Sequence, residues 1–371
     1  MGWLRGLFFF EAIVVFLVFG TRKEYIYQNQ RGDETFKVYY NKVPLIIFAL
    51  GMIFISAYRI SFIDTNDYRY MYKLIGRNLG NVFNNSVPRV EKGYLFFTYI
   101  LNLVNTNSQF LIIITSLIII ISAVLFLYEQ SPSVAFSFWI YFCLDFINSM
   151  NGVRQIMAAA IIMLIWMKWS RSEHTTGNDA AFICGILLMA TIHKSALICI
   201  PIFFFARGPV FNWRIKGCLI IALLMFALPG VYYMILEGIF GGSTYSGYAN
   251  ESASMGMVRF LVKCIPMLLL LVDHFCNSNY EEQEERMIWI INISIFNFCC
   301  SLLALRMVYF ARISMYFNIF DYVLIPWMID RIFNGRSARA IRIVAVLMYG
   351  YFYFAQLNAF GGYVTGFDLV I

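Results

Sequence analysis

Charge is what this sequence has least of. Only 13% of its 371 residues are Asp, Glu, Lys or Arg, against about 25% in an ordinary soluble domain. Too few polar groups are present to cover a water-facing surface, which excludes a soluble enzyme. The eight cysteines include no CxxC pair, and seven lie inside apolar runs, so they read as small core residues and not as a disulfide framework. HExxH, Walker A, GxSxG, DxD and paired metal-ligand spacings are all missing. No metal site, cofactor, nucleotide or covalent nucleophile is therefore expected. Neither a repeat nor a low-complexity tract is visible. A net charge of +7 would point to nucleic acid in a soluble protein; here it must be read loop by loop, and no nucleic-acid partner is expected.

What the sequence does have is apolar length. Hydrophobic residues make up 61% of the chain, and a membrane crossing needs about 20 of them in a helix. Twelve candidate spans follow: 3–20, 43–60, 110–127, 134–150, 155–168, 180–194, 195–206, 217–235, 257–273, 287–305, 313–330 and 340–357. A further stretch, 93–104, is too short to cross and is expected to re-enter or lie in the interface. The expected fold is all-α: one polytopic membrane domain over residues 1–371, with about twelve transmembrane helices and one interfacial or re-entrant helix on its outer face. Residues 3–20 hold Glu11 and are followed by TRKEYIY, without a small-residue cleavage site. They read as a first span or uncleaved anchor.

Orientation follows from the Lys/Arg bias of the loops. With the first residues outside, Arg22, Lys23, Arg31, Lys37, Lys42, Lys168, Arg171, Arg207, Arg214, Lys216, Arg286, Arg331, Arg336, Arg339 and Arg342 face inward. The short outer segments hold only Arg5, Arg154, Lys194, Arg259, Arg306 and Arg312. Both ends are expected outside. The outer loop 59–109 breaks the pattern with Arg59, Arg69, Lys73, Arg77, Arg89 and Lys92; either a span is miscounted or these charges serve something other than orientation. The acidic run EEQEER at 281–286 reads as a solvated inner loop.

A charge at membrane depth costs about 2.5 to 3.5 kcal/mol, so such residues are functional candidates. Near the outer ends of spans lie Arg59, Arg154 with Gln155, His193 with Lys194, Arg259, Arg306 and Arg312. Gathered on one face they would make a cationic pocket suited to a phosphate, which guanidinium groups bind in two-point fashion. The alternative is that each long side chain snorkels to the interface. The acids on that face are Asp64, Asp67 and Glu91. One of them, or His193, would serve as a general base; alternatively the acids pair with Arg69, Lys73 or Arg89 and hold the loop together. Glu11, Asp145, Asp273 and Asp321 fall in or at the ends of spans and read as structural pairings. Tyr68, Tyr70, Tyr72, Tyr94, Tyr99, Tyr245 and Tyr248 crowd the outer segments, either as an interfacial belt or as stacking faces for sugar rings.

Four stretches together carry a resemblance: RISFIDTNDYRYMY, then EKGYLFFTYILN, then NSMNGVRQIMAAAIIML, then ATIHKSALICIPIFFF, with a weaker echo in FARISMYF. In order and spacing they resemble the EpsG and Wzy family of polysaccharide polymerases. That family carries an Asp-x-x-x-Tyr segment and a Glu-Pro-Gly-Tyr segment in its first large outer loop. An Asn-x-x-Arg-Gln motif and a span ending His-x-Ser-Ala follow. The matching positions here are Arg59, Asp64, Tyr68, Glu91, Gly93, Tyr94, Asn151, Arg154, Gln155, His193, Ser195, Arg312 and Tyr316, with Lys92 where the family usually has Pro.

The resemblance implies a bacterial inner-membrane protein that joins lipid-linked oligosaccharide repeat units on the periplasmic side, as in O-antigen assembly. Its substrate would be an undecaprenyl-pyrophosphate-linked oligosaccharide lying in the membrane lipid, and a chain-length regulator would be its protein partner. Arg59, Arg154, Arg306 and Arg312 would face the pyrophosphate, with Tyr68, Gln155 and Tyr316 also contacting the substrate, while Asp64, Glu91 or His193 would take the acceptor proton. An outer-face ligase or other lipid-linked glycosyltransferase would use the same arginines with a different acceptor. A lipid-oligosaccharide flippase would line a passage through the whole bilayer with charge and often shows internal repeats.

Overall fold

The computed structural model describes residues 2–20, 23–28, 34–39, 41–84, 87, 90–228, 255–276, 285–362 and 367–370. Tyr245 and Tyr248, Arg89, and most of the acidic run at 281–286 lie outside the described residues. The described chain is helical except for one antiparallel hairpin and a short bridge near residue 369. In a medium without water only a helix or a closed barrel satisfies its own backbone, which is why apolar runs so poor in proline and charge fold this way.

The chain clusters into two compact units. The first comprises Met1–Glu129, Ser133–Met157 and Ile343–Ile371; the second comprises Gln130–Pro132 and Ala158–Arg342. In the first unit, α1 (Gly2–Gly20) is followed by strands β1 (Lys23–Gln28) and β2 (Glu34–Tyr39), which pair with Lys23 opposite Tyr39 and Gln28 opposite Glu34. Then come α2 (Lys42–Tyr58), α3 (Thr65–Ile75), α4 (Gly80–Phe83), α5 (Lys92–Val104) and α6 (Gln109–Gln130). The next span is α7 (Val134–Tyr141), continued through a π turn at Phe142–Phe146 into α8 (Ile147–Ser149). Helix α9 (Val153–Trp169) begins in this unit and continues in the second.

The second unit adds α10 (Thr176–Ala190), a 3-10 turn at Lys194–Ile198 leading into α11 (Cys199–Phe205), and α12 (Trp213–Ala227). It continues with α13 (Met257–Lys263), α14 (Ile265–Cys276), α15 (Glu285–Ala304), α16 (Val308–Ser314) and α17 (Asn318–Ile332). Helix α18 (Gly335–Ala359) returns the chain to the first unit.

Among the described residues four helices are long and apolar enough to cross a membrane: α1, α6, α15 and α18. A fifth is counted if α16 and α17, bent by 66° across their break, act as one span. The apolar stretches 42–58, 134–149, 176–190 and 194–205 are shorter. The chain is thus a multi-pass membrane protein with several apolar helices. Its faces are arranged for lipid: α1 exposes Phe9, Ile13 and Phe16, and α18 exposes Ile343, Leu347 and Tyr351, each set spaced about four residues apart, as one helical face requires.

Burial of the opposite faces explains how the helices meet. Phe8 of α1 packs on Trp139, Tyr353 and Phe354 at centroid distances of 5.2, 5.2 and 4.6 Å. Tyr353 donates its hydroxyl to the carbonyl of Leu4, Trp139 its indole N–H to that of Val346, and Gln356 its amide to that of Cys143. The polar atoms of each big side chain are satisfied by a neighbouring helix. In the second unit α12 meets α15 through Ala222, Met225, Cys299 and Leu303, with Met307 just beyond α15 in the same cluster.

The acids in the spans divide. Arg331 shares its Nε–H between the two oxygens of Asp273 at 3.0 and 2.9 Å, and Asp321 accepts the Asn297 amide at 2.7 Å; both fit the expected structural pairing. Glu11 departs from it. Its carboxylate is fully buried with neither oxygen hydrogen-bonded among the described residues, and it lies against Gly51, where a Cβ would fall 2.4 Å from Oε1. Close approach of α2, made possible by that glycine, encloses the group instead of pairing it. The seven described cysteines are free.

Candidate functional site

The outer loop expected at 59–109 folds into the short helices α3 to α5. Apolar residues of α3 recur at Tyr68, Met71, Tyr72 and Ile75, and those of α5 at Tyr94, Leu95, Thr98 and Leu101, all buried. Two amphipathic helices of 11 and 13 residues bury these faces against each other, while α5 leaves Phe96, Ile100, Leu103 and Val104 exposed. That outward apolar face fits the interface. The segment is tied to its neighbours through side chains: Tyr72 donates to the carbonyl of Asn105, Arg77 to that of Asn102, and the Asn102 amide to the carbonyl of Tyr72.

Asp64 and Glu91 each precede a helix, as the N-cap residues of α3 and α5. Neither side chain caps its own helix. Asp64 reaches instead to the residue just before α9, where its Oδ2 accepts the backbone N–H of Gly152 at 2.7 Å. Gly152 has φ +66°, a left-handed conformation that glycine adopts at no steric cost. The other oxygen, Oδ1, is buried with no hydrogen-bond donor on it among the described residues. Burial raises the Asp64 pKa above the ordinary carboxylate value, with the Gly152 N–H and the Arg59 charge opposing the rise.

Glu91 is bonded to Arg154, the second residue of α9; its Oε2 accepts from Nη1. This partner lies 63 residues distant in sequence; of the pairings expected with Arg69, Lys73 or Arg89, that with Arg89 falls outside the described residues. Around the pair stand two tyrosines. Tyr68 and Tyr94 meet edge to face at 5.9 Å, the Arg154 guanidinium sits 6.0 Å from the Tyr94 ring centre, and Tyr68 interacts with both the side chain and the backbone of Arg154. Burial and the neighbouring Asp64 push the Tyr68 hydroxyl up to about 12, so it stays protonated and available as a donor. The Arg154 side chain keeps 20% of its surface exposed. A carboxylate with one oxygen unbonded among the described residues, a tethered guanidinium and two buried rings thus lie together in the first unit.

Arg59 has another environment. It is 1% exposed, and its guanidinium donates to the Thr65 hydroxyl, to the carbonyl and hydroxyl of Ser56, to the Ser116 hydroxyl and to the Met150 carbonyl. Those bonds join the ends of α2, α3, α6 and α8 around the acidic turn. Gln155 is buried at 5% exposure.

The remaining expected residues belong to the second unit. The Ser195 hydroxyl and the Tyr316 phenol lie 3.0 Å apart, linking the 3-10 turn to the break between α16 and α17. His193 precedes that turn and is half-buried. Arg312 is exposed in the last turn of α16, and Arg306 is exposed, donating to the carbonyl of Phe226 at 2.8 Å. Behind the α16–α17 break, Asn297 of α15 accepts from Ser314 at 2.6 Å and donates to Asp321, fixing the bend that carries Arg312 and Tyr316.

Residues 42–365 match the sequence model of the EpsG family. The chain belongs to the EpsG family. No curated protein and no solved structure matches it. The EpsG match spans the Asp64 turn, the Glu91 helix, the NGVRQ segment and the HKSA turn together. Within the EpsG region, reasoning from sequence missed Gly152 as a donor to Asp64 and Thr65, Ser56 and Ser116 as acceptors for Arg59. The first had a signal, an Asn-Gly pair at a helix start; the hydroxyls, scattered over apolar helices, had none.

The pairing of Glu91 with Arg154 has a testable consequence. Glu91→Gln keeps an acceptor for the guanidinium, and whatever activity this site supports should stay within about threefold of wild type, whereas Glu91→Ala should lower it by about tenfold, the worth of one charge-assisted hydrogen bond. A double variant with Arg154→Ala should be no worse than Arg154→Ala alone, because the two residues form one unit. Additive losses would show that Glu91 acts independently of Arg154.

Proposed function

We propose that the protein is a polysaccharide polymerase of the O-antigen type, transferring a growing glycan from its polyprenyl pyrophosphate carrier to an incoming lipid-linked repeat unit. The observation that carries this reading is the grouping of Asp64, Arg154, Tyr68 and Tyr94 in the first unit, within a chain of the EpsG family. In the transfer, a sugar hydroxyl at the far end of the incoming unit attacks the anomeric carbon that links the growing glycan to pyrophosphate. The new glycosidic C–O bond forms as the old one breaks, the bonding pair leaves with the pyrophosphate, and the hydroxyl proton passes to Asp64 Oδ1. Arg154 stabilises the negative charge developing on the departing oxygen, held in place by Glu91. Tyr68 offers its phenolic donor to the glycan, and Tyr94, fully buried, backs the Arg154 guanidinium.

In this reading Arg59 does not touch the substrate but fixes the turn that carries Asp64. For the second unit we propose that His193, Arg306, Arg312 and Tyr316 support substrate binding, and for the first unit that the buried Gln155 at the start of α9 does so; Arg312→Ala tests the former separately. We further propose that the shorter helices bring the crossings to about twelve, that the acidic turn faces the periplasm of a bacterial inner membrane, and that a chain-length regulator is the protein partner.

Two experiments test the proposal. The glycan profile of a strain lacking the protein should show single repeat units capping the lipid acceptor. Lipid-linked polymer without surface glycan would favour a ligase, and repeat units stranded on the inner leaflet a flippase. For orientation, single cysteines placed at residues 2, 35, 175 and 335 of a chain otherwise free of cysteine should react with an impermeant reagent from outside only at residue 2. The contact of Trp3 with Asp368 beside the 59–64 turn supports a common side for the first residues and the site. External labelling at residue 35 would overturn the periplasmic assignment.

A further inference from the structure

We propose that the segment Phe367–Val370 is a positioning strap that holds the Asp64 turn in its working conformation; the inference rests on the reading of Asp64 as the acceptor base. The strap crosses the residues just after α2 as a short antiparallel bridge between Arg59 and Leu369. Ile60 donates its N–H to the carbonyl of Asp368 and Val370 donates to that of Tyr58, both at 2.8 Å. Side chains reinforce the bridge. Phe367 meets Phe62 edge to face at 5.9 Å, Phe360 meets it from α18's far end at 5.5 Å, and the Trp3 indole donates to Asp368 Oδ1 at 3.2 Å. Phe367 and Leu369 are 3% and 6% exposed, and Phe62 2%.

The turn so held is strained. Ile63, between Phe62 and Asp64, has φ +46°, and a β-branched residue in that region is a costly outlier that persists only where its surroundings over-determine it. The surroundings do so from both sides. On one, the strap fixes the backbone at 58–60 and packs Phe62. On the other, Thr65 bonds the Phe62 carbonyl through both its N–H and its hydroxyl, at 3.0 and 2.7 Å, and receives the Arg59 Nε–H at 2.9 Å. Asp64 therefore meets Gly152 N–H only while this frame is closed. The residues that match the EpsG family run from 42 to 365, so Trp3 and the strap lie outside the matched region.

The test compares Val370→Pro, which removes the N–H bonded to Tyr58, with Val370→Ala, which retains it. Phe367→Ala and Phe367→Leu form a second pair should the proline prevent folding. The full-length protein in lipid nanodiscs is read by hydrogen exchange at Ile60 and Gly152. Val370→Pro and Phe367→Ala should speed exchange at both amides by about tenfold, the worth of one lost hydrogen bond or less, while Val370→Ala and Phe367→Leu leave it unchanged. Polymer yield in cells should fall in the same order, with the conservative members of each pair retaining it. Unchanged exchange at Gly152 in both disruptive variants would overturn the strap. Faster exchange with full polymer yield would overturn its role in positioning Asp64. If Asp64→Asn itself leaves polymer intact, it is the reading of Asp64 as the base that fails, and the exchange result then decides the strap alone.

Discussion

Arg154→Ala is expected to abolish polymer, leaving single repeat units on the lipid acceptor at wild-type protein levels. The guanidinium is bonded to Glu91, stacked near Tyr94 and still partly open, so it combines fixed orientation with access to an anion. A charge-assisted hydrogen bond contributes about 1.5 to 3 kcal/mol. At about 1.4 kcal/mol per tenfold in rate, losing one such contact in the transition state slows transfer by about ten- to a hundredfold, and losing both bonds of a two-point contact slows it further. Lysine keeps the charge but not the planar fork, so Arg154→Lys should recover short chains only. Banding of the surface glycan at matched membrane levels is the measurement. Normal ladders from Arg154→Ala would leave this residue as a structural partner of Glu91 and remove it from the chemistry.

Asp64→Asn should be as damaging and should differ in kind. A positioned general base contributes roughly 100- to 10,000-fold, and the amide cannot accept the acceptor's proton although it can still accept the Gly152 N–H. Activity of the wild type should fall as pH drops through the raised pKa of Asp64, because only the ionised form is a base; the acidic limb therefore lies above the ordinary carboxylate range. Stability runs the opposite way. A carboxyl whose folded pKa is raised binds its proton more tightly when folded, so its contribution to stability is present at low pH and lost as pH rises through that value. Asp64→Asn, neutral throughout, should be at least as stable as wild type at neutral pH while being inactive. Loss of both folding and activity in this variant would assign Asp64 to the framework.

Much of this was legible in the sequence, for reasons that particular residues make plain. The helices follow from apolar runs such as residues 110–127, where little but helix satisfies the backbone in lipid. The amphipathic character of 93–104 was visible in its spacing, and Asp64, Glu91 and Arg154 stood out as charges where orientation rules expect few. Partners were not legible. Glu91 finds Arg154 and Asp64 finds Gly152 across 63 and 88 positions, and no local pattern encodes a contact of that range. Arg59 illustrates the same limit: its sequence position matches that of an exposed anion binder, yet five bonds to hydroxyls and carbonyls enclose it. Boundaries moved for residues such as 43–60 and 180–194, whose helices run Lys42–Tyr58 and Thr176–Ala190, because hydropathy alone does not register the turns before Arg59 and His193 where they stop.

The central claim is that this protein joins lipid-linked repeat units to one another. It is tested most directly by the purified protein in lipid vesicles, supplied with a polyprenyl-pyrophosphate-linked oligosaccharide as both donor and acceptor and followed by product size and pyrophosphate-lipid release. The account predicts a ladder at whole multiples of the repeat unit, with one carrier released per bond formed, and its loss in Arg154→Ala and Asp64→Asn. Substrate that remains a single unit with the wild-type protein, or a ladder undiminished in both variants, would contradict it.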